Sequence, residues 1–268
     1  MIRNILLTIE YDGTNFCGWQ RQPGKRSVQG EIERALRLVC GSDIRINGTS
    51  RTDAGVHALG QQANFRGEFG IPTERLGIAM NNILAGGMNS LAAVGDVRIV
   101  EVMEKSADFH ARFDAKGKKY VYKILNSQEK DIFGRNYYYQ ISKPLNVEAM
   151  REASQYIIGT HDFKCFQAAG GEEKLTTVRT IYDLKINSQL NNNGKQEIEL
   201  QIKGDGFLYN MVRIITGTLV DVGLGKRAPR SVEAAIHSKD RQQSGHTAPP
   251  QGLYLVEVYY DLEELGKL

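Results

Sequence analysis

The sequence predicts an α+β fold built on antiparallel strands, and three observations carry that reading. Asn191-Asn192-Asn193-Gly194-Lys195 separates two strand-like runs, about 178–190 and 196–204, in the manner of a hairpin turn. In the second run Ile198, Leu200 and Ile202 alternate with Glu197, Glu199 and Gln201, the pattern of a sheet with one wet face. Elsewhere strands and helices mix without strict β-α-β alternation, which disfavours an all-parallel sheet.

The elements follow in order. Residues 3–11 alternate loosely as a strand. Ser27 opens a helix with Val28, Ile32, Ala35, Leu36 and Val39 on one face and Gly41 as its stop. Cys40 ends that apolar stripe and is expected to be buried. A strand near 44–49, a loop around Asp53, a strand near 60–66, a helix from about Thr73 to Leu84 and a strand near 97–103 complete an N-terminal half, assigned to residues 1–108.

The C-terminal half, 109–268, begins with the run Lys118–Leu125, a strand rich in β-formers. A helix carrying Val147, Met150, Ala153 and Ile157 follows, with Asn146 as N-cap and Gly159 as stop. After the hairpin comes an apolar helix from about Leu208 to Val222. Its stripe is Met211, Val212, Ile215, Leu219 and Val222, and Arg213 falls roughly opposite. A short helix near 231–238 and a strand near 253–260 finish the chain.

At 268 residues, 41% hydrophobic and 24% charged, the composition is that of a globular protein with a sizeable core. No apolar run reaches the length of a membrane span, and Met1-Ile2-Arg3-Asn4 leads into a strand rather than a signal peptide. Three cysteines (Cys17, Cys40, Cys165) form no C-x-x-C pair, which argues against a disulfide framework and for a reducing, cytoplasmic location. The five histidines lack metal-ligand spacing, so no metal is expected.

The net charge of +3 says little, but its distribution says more. Arg112, Lys116, Lys118, Lys119 and Lys123 stand against the single acid Asp114, with Tyr120 and Tyr122 interleaved. Two readings fit: phosphate contact with base stacking, or a solvated strand face with its tyrosines in the core. A second basic group holds Lys226, Arg227 and Arg230, with Lys239 and Arg241 beyond. An acidic end carries Glu257, Asp261, Glu263 and Glu264.

Chemistry concentrates in Ser50-Arg51-Thr52-Asp53-Ala54-Gly55-Val56-His57-Ala58. An acid two residues after an arginine, in a turn of small residues, can project an ionised carboxylate, as a carboxylate nucleophile requires. The plain alternative is an Asx-turn. Asp53 and His57 could also be read as a hydrolase dyad, but no G-x-S-x-G accompanies them, and His57 is expected to be a hydrogen-bonding residue of the loop. P-loop and dinucleotide fingerprints are missing too.

This stretch resembles the signature of the tRNA pseudouridine synthase A family, commonly written GRTDAGVHA. Further likeness lies in Glu10-Tyr11-Asp12-Gly13-Thr14-Asn15-Phe16-Cys17-Gly18-Trp19-Gln20-Arg21-Gln22, Ser27-Val28-Gln29 and Phe109-His110-Ala111-Arg112-Phe113. Tyr120-Val121-Tyr122, Met211-Val212-Arg213 and Gly252-Leu253-Tyr254-Leu255-Val256 complete it, in family order from about residue 5 to 260. Two departures stand out: Ser50 where glycine is usual, and a segment 81–87 without its common proline.

The resemblance implies two pseudo-symmetric halves sharing an extended antiparallel sheet with a central RNA-binding cleft. It implies isomerisation of uridine to pseudouridine at positions 38, 39 and 40 of the tRNA anticodon stem-loop, by a cytoplasmic homodimer without cofactor. Asp53 would be the catalytic residue. Arg51 would fill the space vacated by the flipped base or hold phosphate, and Tyr120 would stack on the uracil. Arg213 would keep Asp53 anionic, and Leu253 would pack beneath the base. From the residues alone, Arg213 reads as an exposed helix arginine, and Leu253 as core, which is compatible with packing beneath the base. Trp19 is either a cleft-edge residue or packed under its loop. Whether Asp53 attacks C6 or assists a glycal-like route stays open. A non-catalytic RNA-binding protein is the alternative, disfavoured because pure binding has no use for an acid among phosphates.

Overall fold

A computed structural model of the chain describes residues 2–86, 94–171 and 175–266. Gly87 of the proline-lacking segment therefore lies outside the described residues. The chain divides into two compact units, residues 1–115 with 254–260, and residues 116–253 with 261–268.

In the first unit the strands are β1 (Arg3–Tyr11), β2 (Asn47–Gly48), β3 (His57–Gly67) and β4 (Val97–Lys105). β1 pairs antiparallel with both β3 and β4, placing Ile5 opposite Phe65 and Leu7 opposite Ala63, all buried. Residues of β10 (Leu253–Tyr259) add a parallel pairing, Tyr254 with His57 and Leu255 with Ala58. Against this sheet lie α1 (Val28–Cys40) and α2 (Thr73–Leu84), which pack on each other. The capping signals of α1 act as read: Ser27 Oγ accepts from Gly30 N at 3.3 Å, and Gly41 leaves the helix at φ 70°. Cys40 is only half-buried, because the apolar face ends at Leu36 and the last turn lifts off the core.

The strand expected near 44–49 is reduced to the two residues of β2. Ile44 and Ile46 are buried, but Ile46 takes its hydrogen bonds from helix side chains: Gln29 Nε2 donates to Ile46 O at 3.2 Å, and Ile46 N donates to Glu33 Oε1 at 3.3 Å. Polar groups of α1 thus replace a neighbouring strand.

The second unit holds β5 (Gly117–Asn126), β6 (Tyr139–Ile141), β7 (Gly159–Asp162), β8 (Val178–Leu190) and β9 (Gln196–Gly204). Its sheet order is β5-β9-β8-β7, all antiparallel, with β6 parallel to β5. The predicted hairpin is β8–β9, closed by Asn191 N donating to Lys195 O at 2.9 Å. The helices are α3 (Val147–Gln155), α4 (Met211–Gly223), α5 (Ser231–Ser238) and α6 (Leu262–Gly266). Asn146 caps α3 through its side chain, 3.0 Å from Ala149 N. Gly159 does not stop that helix. The helix ends at Tyr156, and Gly159, at φ +116°, opens β7. α4 starts three residues later than its apolar run because Asn210 takes a left-handed conformation, φ 59°, which no helix continues through. β6, β7 and α6 are too short for periodicity to reveal.

Candidate active site

The Asp53 loop joins β2 to β3 in the first unit. Asp53 O accepts from Val56 N at 3.1 Å, and Gly55 at φ +78° occupies the left-handed position of that turn. Thr52 is buried and fastened twice, its carbonyl accepting from Trp19 N at 3.0 Å and its hydroxyl 2.7 Å from Tyr11 Oη. Upstream, Gln61 brackets Ser50, accepting from Ser50 N at 3.3 Å and donating to Ser50 O at 2.7 Å. Each buried bond of this kind costs about 1–3 kcal/mol to leave unmade. Asp53 emerges half-buried and Arg51 exposed.

The loop between β1 and α1 forms the floor of this structure. A Cβ on Gly13 would lie 2.0 Å from Val56 O, and one on Gly18, at φ +96°, would lie 2.6 Å from Thr52 O. Backbone therefore touches backbone at both places, an approach only glycine allows. Trp19 is 2% exposed and packs so close to Gly48 that a Cβ there would meet its indole at 2.4 Å, which decides for packing under the loop. Gln29 holds the same loop, its Oε1 accepting from Arg21 N at 3.0 Å and from Gln20 Nε2 at 2.7 Å.

His57 begins β3, 2% exposed, its ring stacked on Tyr254 at 4.7 Å. Its Nδ1 accepts from Gly13 N at 3.0 Å. With that lone pair taken, Asp12 Oδ1 at 3.2 Å is not an ion-pair partner through Nδ1, and Asp12 instead caps Thr14 N at 2.9 Å. Through Nδ1 the ring is a structural post for the Gly13 backbone.

The remaining predicted residues belong to the second unit. Arg213 sits in the first turn of α4, half-buried rather than exposed, its Nε donating to Ala248 O at 2.8 Å and Nη1 to Asn210 Oδ1 at 2.7 Å. Ala248 N in turn donates to Arg213 O at 3.0 Å. The segment bearing Ala248 is itself fixed. Tyr122 Oη donates to Pro249 O at 2.6 Å, Gly245 N donates to Thr218 Oγ1 at 2.8 Å, and Gly217 lets His246 O approach within 1.9 Å of where a Cβ would stand. Burial raises the Tyr122 phenol well above its ordinary pKa, partly opposed by Arg213, so it stays a donor. Tyr120 is 8% exposed, its ring edge-to-face with Phe207 at 5.1 Å, and Leu253 is 7% exposed at the start of β10.

The two basic groups differ in their surroundings. Both interleaved tyrosines are buried, Tyr122 fully and Tyr120 to 8% exposure. In the later group, Lys226 pairs with Asp221 at 3.1 Å, Arg230 with Glu233 at 3.1 Å and Lys239 with Asp162 at 2.9 Å, while Arg227 and Arg241 donate to backbone carbonyls. All five of these side chains therefore have partners within the chain. Among the described residues, no group of three or more His, Cys, Asp or Glu side chains is arranged to hold a metal ion.

Four positioning residues escaped sequence reading: Gly13 and Gly18 beneath the Asp53 loop, and Asn210 and Ala248 on Arg213. Only Asn210 left a trace, since asparagine before a helix tolerates positive φ. The others act through backbone, which composition does not record.

Comparison with known proteins agrees with this layout. The family described as tRNA pseudouridine synthase matches residues 7–114 and 153–261. The tRNA pseudouridine synthase A of Acetivibrio thermocellus is 46% identical over 259 residues, covering 97% of this chain and 100% of that protein. That of Thermoanaerobacter pseudethanolicus is 45% identical with the same coverage, and tRNA pseudouridine synthase A 2 of Clostridium tetani is 45% identical over 263 residues. On this span and identity, the chain belongs to the tRNA pseudouridine synthase family.

Proposed function

We propose that this protein isomerises uridine to pseudouridine in the anticodon stem-loop of tRNA, at positions 38, 39 and 40, with Asp53 as the catalytic carboxylate. The observation that carries the reading is the Asp53 loop itself: a half-buried acid on a turn whose flanking residues are bonded from Tyr11, Trp19 and Gln61. Family membership supplies the chemistry. Uridine loses its N1–C1′ bond, the base turns, and a C5–C1′ bond forms. N1 gains a proton and C5 releases one, so nothing is oxidised or reduced, and one positioned carboxylate with no cofactor suffices. Such positioning is where proximity catalysis gains most.

The base must first leave its stack, at a cost of a few kcal/mol. Arg51, exposed beside Asp53, suits phosphate contact or the vacated space. Tyr120 is assigned to the flipped uracil, Leu253 to the apolar floor beneath it, and Arg213 to keeping the carboxylate ionised. For Arg213 the support is its anchorage by Ala248 O and Asn210, which fixes the plane of the guanidinium. A cytoplasmic homodimer is the assembly proposed. No helix among the described residues is long and apolar enough to cross a membrane.

The test is tritium release from 5-labelled uridine in tRNA transcripts, with each of the three positions varied singly. Asp53→Asn is nearly isosteric and is expected to abolish release while tRNA binding persists. Turnover above trace level in that variant would remove Asp53 from the chemistry.

A further inference from the structure

The turn Phe109-His110-Ala111-Arg112-Phe113-Asp114 is absorbed by none of the roles above, yet the first unit builds it with unusual care. Ala111 is fully buried. Its N–H donates to Asn64 Oδ1 at 3.0 Å, and its carbonyl accepts from Thr49 Oγ1 and from Tyr260 Oη, each at 3.0 Å. Asn4 Nδ2 donates to Phe109 O at 2.9 Å and to Ser106 O at 2.7 Å, and Asn64 Nδ2 donates to Asn4 Oδ1 at 2.9 Å. Asn4, Thr49 and Asn64 are themselves buried. Within the turn, His110 N donates to Asp114 Oδ2 at 2.8 Å, and His110 Nδ1 accepts from Arg112 N at 3.1 Å. Buried polar networks so fully satisfied impose a single geometry.

What the turn presents outward is a cation and an aromatic ring. Arg112 is exposed, and Phe113 keeps 74% of its surface in solvent, with the His110 ring set against it at 4.2 Å. Two further cations meet the same turn: Arg66, whose Nη2 reaches Phe109 O at 3.5 Å, and Lys105, whose Nζ lies 5.5 Å over the Phe109 ring. The acids beside them are Asp108, held below its usual range chiefly by the Ser106 hydroxyl and to a lesser degree by Arg66, and Asp114, bonded to His110 N. Three cations against two acids leave a net positive rim around an exposed ring. Phe133, 90% exposed, offers no such rim, because Lys130 and Arg135 there are balanced by Glu129 and Asp131.

We infer that Arg112 and Phe113 form a preorganised RNA contact on the tRNA substrate, Arg112 on backbone phosphate and Phe113 stacking on an unpaired base. The inference rests on the proposed function for the identity of the RNA. Thr49, which holds Ala111 O, precedes Asp53 by four residues. At about 3.3–3.6 Å per residue those two are within about 15 Å, which ties the turn to the segment leading into the Asp53 loop. Stacking on an aromatic ring is sequence-tolerant, as every base has a π-face, and each neutralised phosphate releases counterion.

The experiment measures tRNA affinity against salt for Phe113→Ala, Phe113→Leu, Phe113→Tyr and Arg112→Gln, beside thermal melts and sedimentation. Phe113→Ala is expected to weaken binding about tenfold to a hundredfold, Phe113→Tyr to restore it, and Phe113→Leu to leave it weak. Arg112→Gln is expected to lower the salt slope by about 0.9. Wild-type affinity and slope in Phe113→Ala and Arg112→Gln would overturn the inference while tritium release left the isomerase reading intact. Restoration by Leu together with an altered oligomeric state would overturn it in favour of a protein–protein contact. A wild-type protein that bound tRNA through Phe113 but released no tritium would sink the isomerase reading alone.

Discussion

Gly18→Ala tests whether the backbone floor positions Asp53. At φ +96° an alanine costs about 1–2 kcal/mol over glycine. Its Cβ would also stand 2.6 Å from Thr52 O, 3.1 Å from Asp53 C and 3.2 Å from Ala54 N, about 0.8 Å inside the 3.4 Å at which ordinary contact begins. Because these neighbours are backbone, relief requires the Asp53 loop to move and strains the Trp19 N–Thr52 O bond. Overpacking of this kind adds about 1–3 kcal/mol, for a total destabilisation of about 2–5 kcal/mol. A displacement approaching 1 Å lowers a positioned reaction by about 10- to 100-fold. Gly24→Ala is the control, since Gly24 lies at φ +69° in the same loop with nothing within 4 Å of its would-be Cβ. It carries the conformational cost without the collision. The assay is single-turnover tritium release at saturating tRNA, with thermal denaturation of both variants. If the folded Gly18→Ala protein reacted at the rate of Gly24→Ala, Gly18 would be no more than a turn residue and the floor would not position Asp53.

Three further outcomes are expected. Tyr120→Leu should weaken both tRNA binding and turnover, whereas Tyr120→Phe should bind normally and react about two to four orders of magnitude more slowly if its hydroxyl moves a proton; wild-type rates in both would return Tyr120 to the core. Activity on a short RNA stem-loop should survive chelator treatment, and loss of chemistry with stoichiometric release of zinc would contradict that. Burial, above all, pushes the Tyr260 phenol up to about 12, against about 10 in the unfolded chain. The folded state thus keeps its proton longer, and the stability this lends is whole below pH about 10 and lost as pH rises to about 12. Tyr260→Phe should be less stable at neutral pH, having lost its bond to Ala111 O, but should decline less steeply across that alkaline window. An unchanged slope in denaturant titrations would place the alkaline transition elsewhere.

Sequence alone determined the elements whose signals are local. The 178–190 and 196–204 strands were legible from alternation and the asparagine-glycine turn, and α1 from Ser27, Gly41 and its apolar face, because capping and periodicity depend on neighbours a few residues away. The motif around Asp53 likewise stood in the open, since it is one contiguous run from Ser50 to Ala58. Tertiary structure decided what distant residues do to each other. It gave the backbone of Ile46 to Gln29 and Glu33 instead of a strand, put Trp19 against Gly48, and joined residues 254–260 to the first unit, which a linear boundary cannot express. It also turned Arg213 from an arginine opposite an apolar stripe into one clamped by Ala248 and Asn210, and spent the later basic cluster on ion pairs and carbonyls. The physical reason is common to all of these: a backbone carbonyl or a side chain far off in sequence leaves no mark on the residue types beside its partner. Such partners are fixed only when the chain closes and every buried polar group must find one.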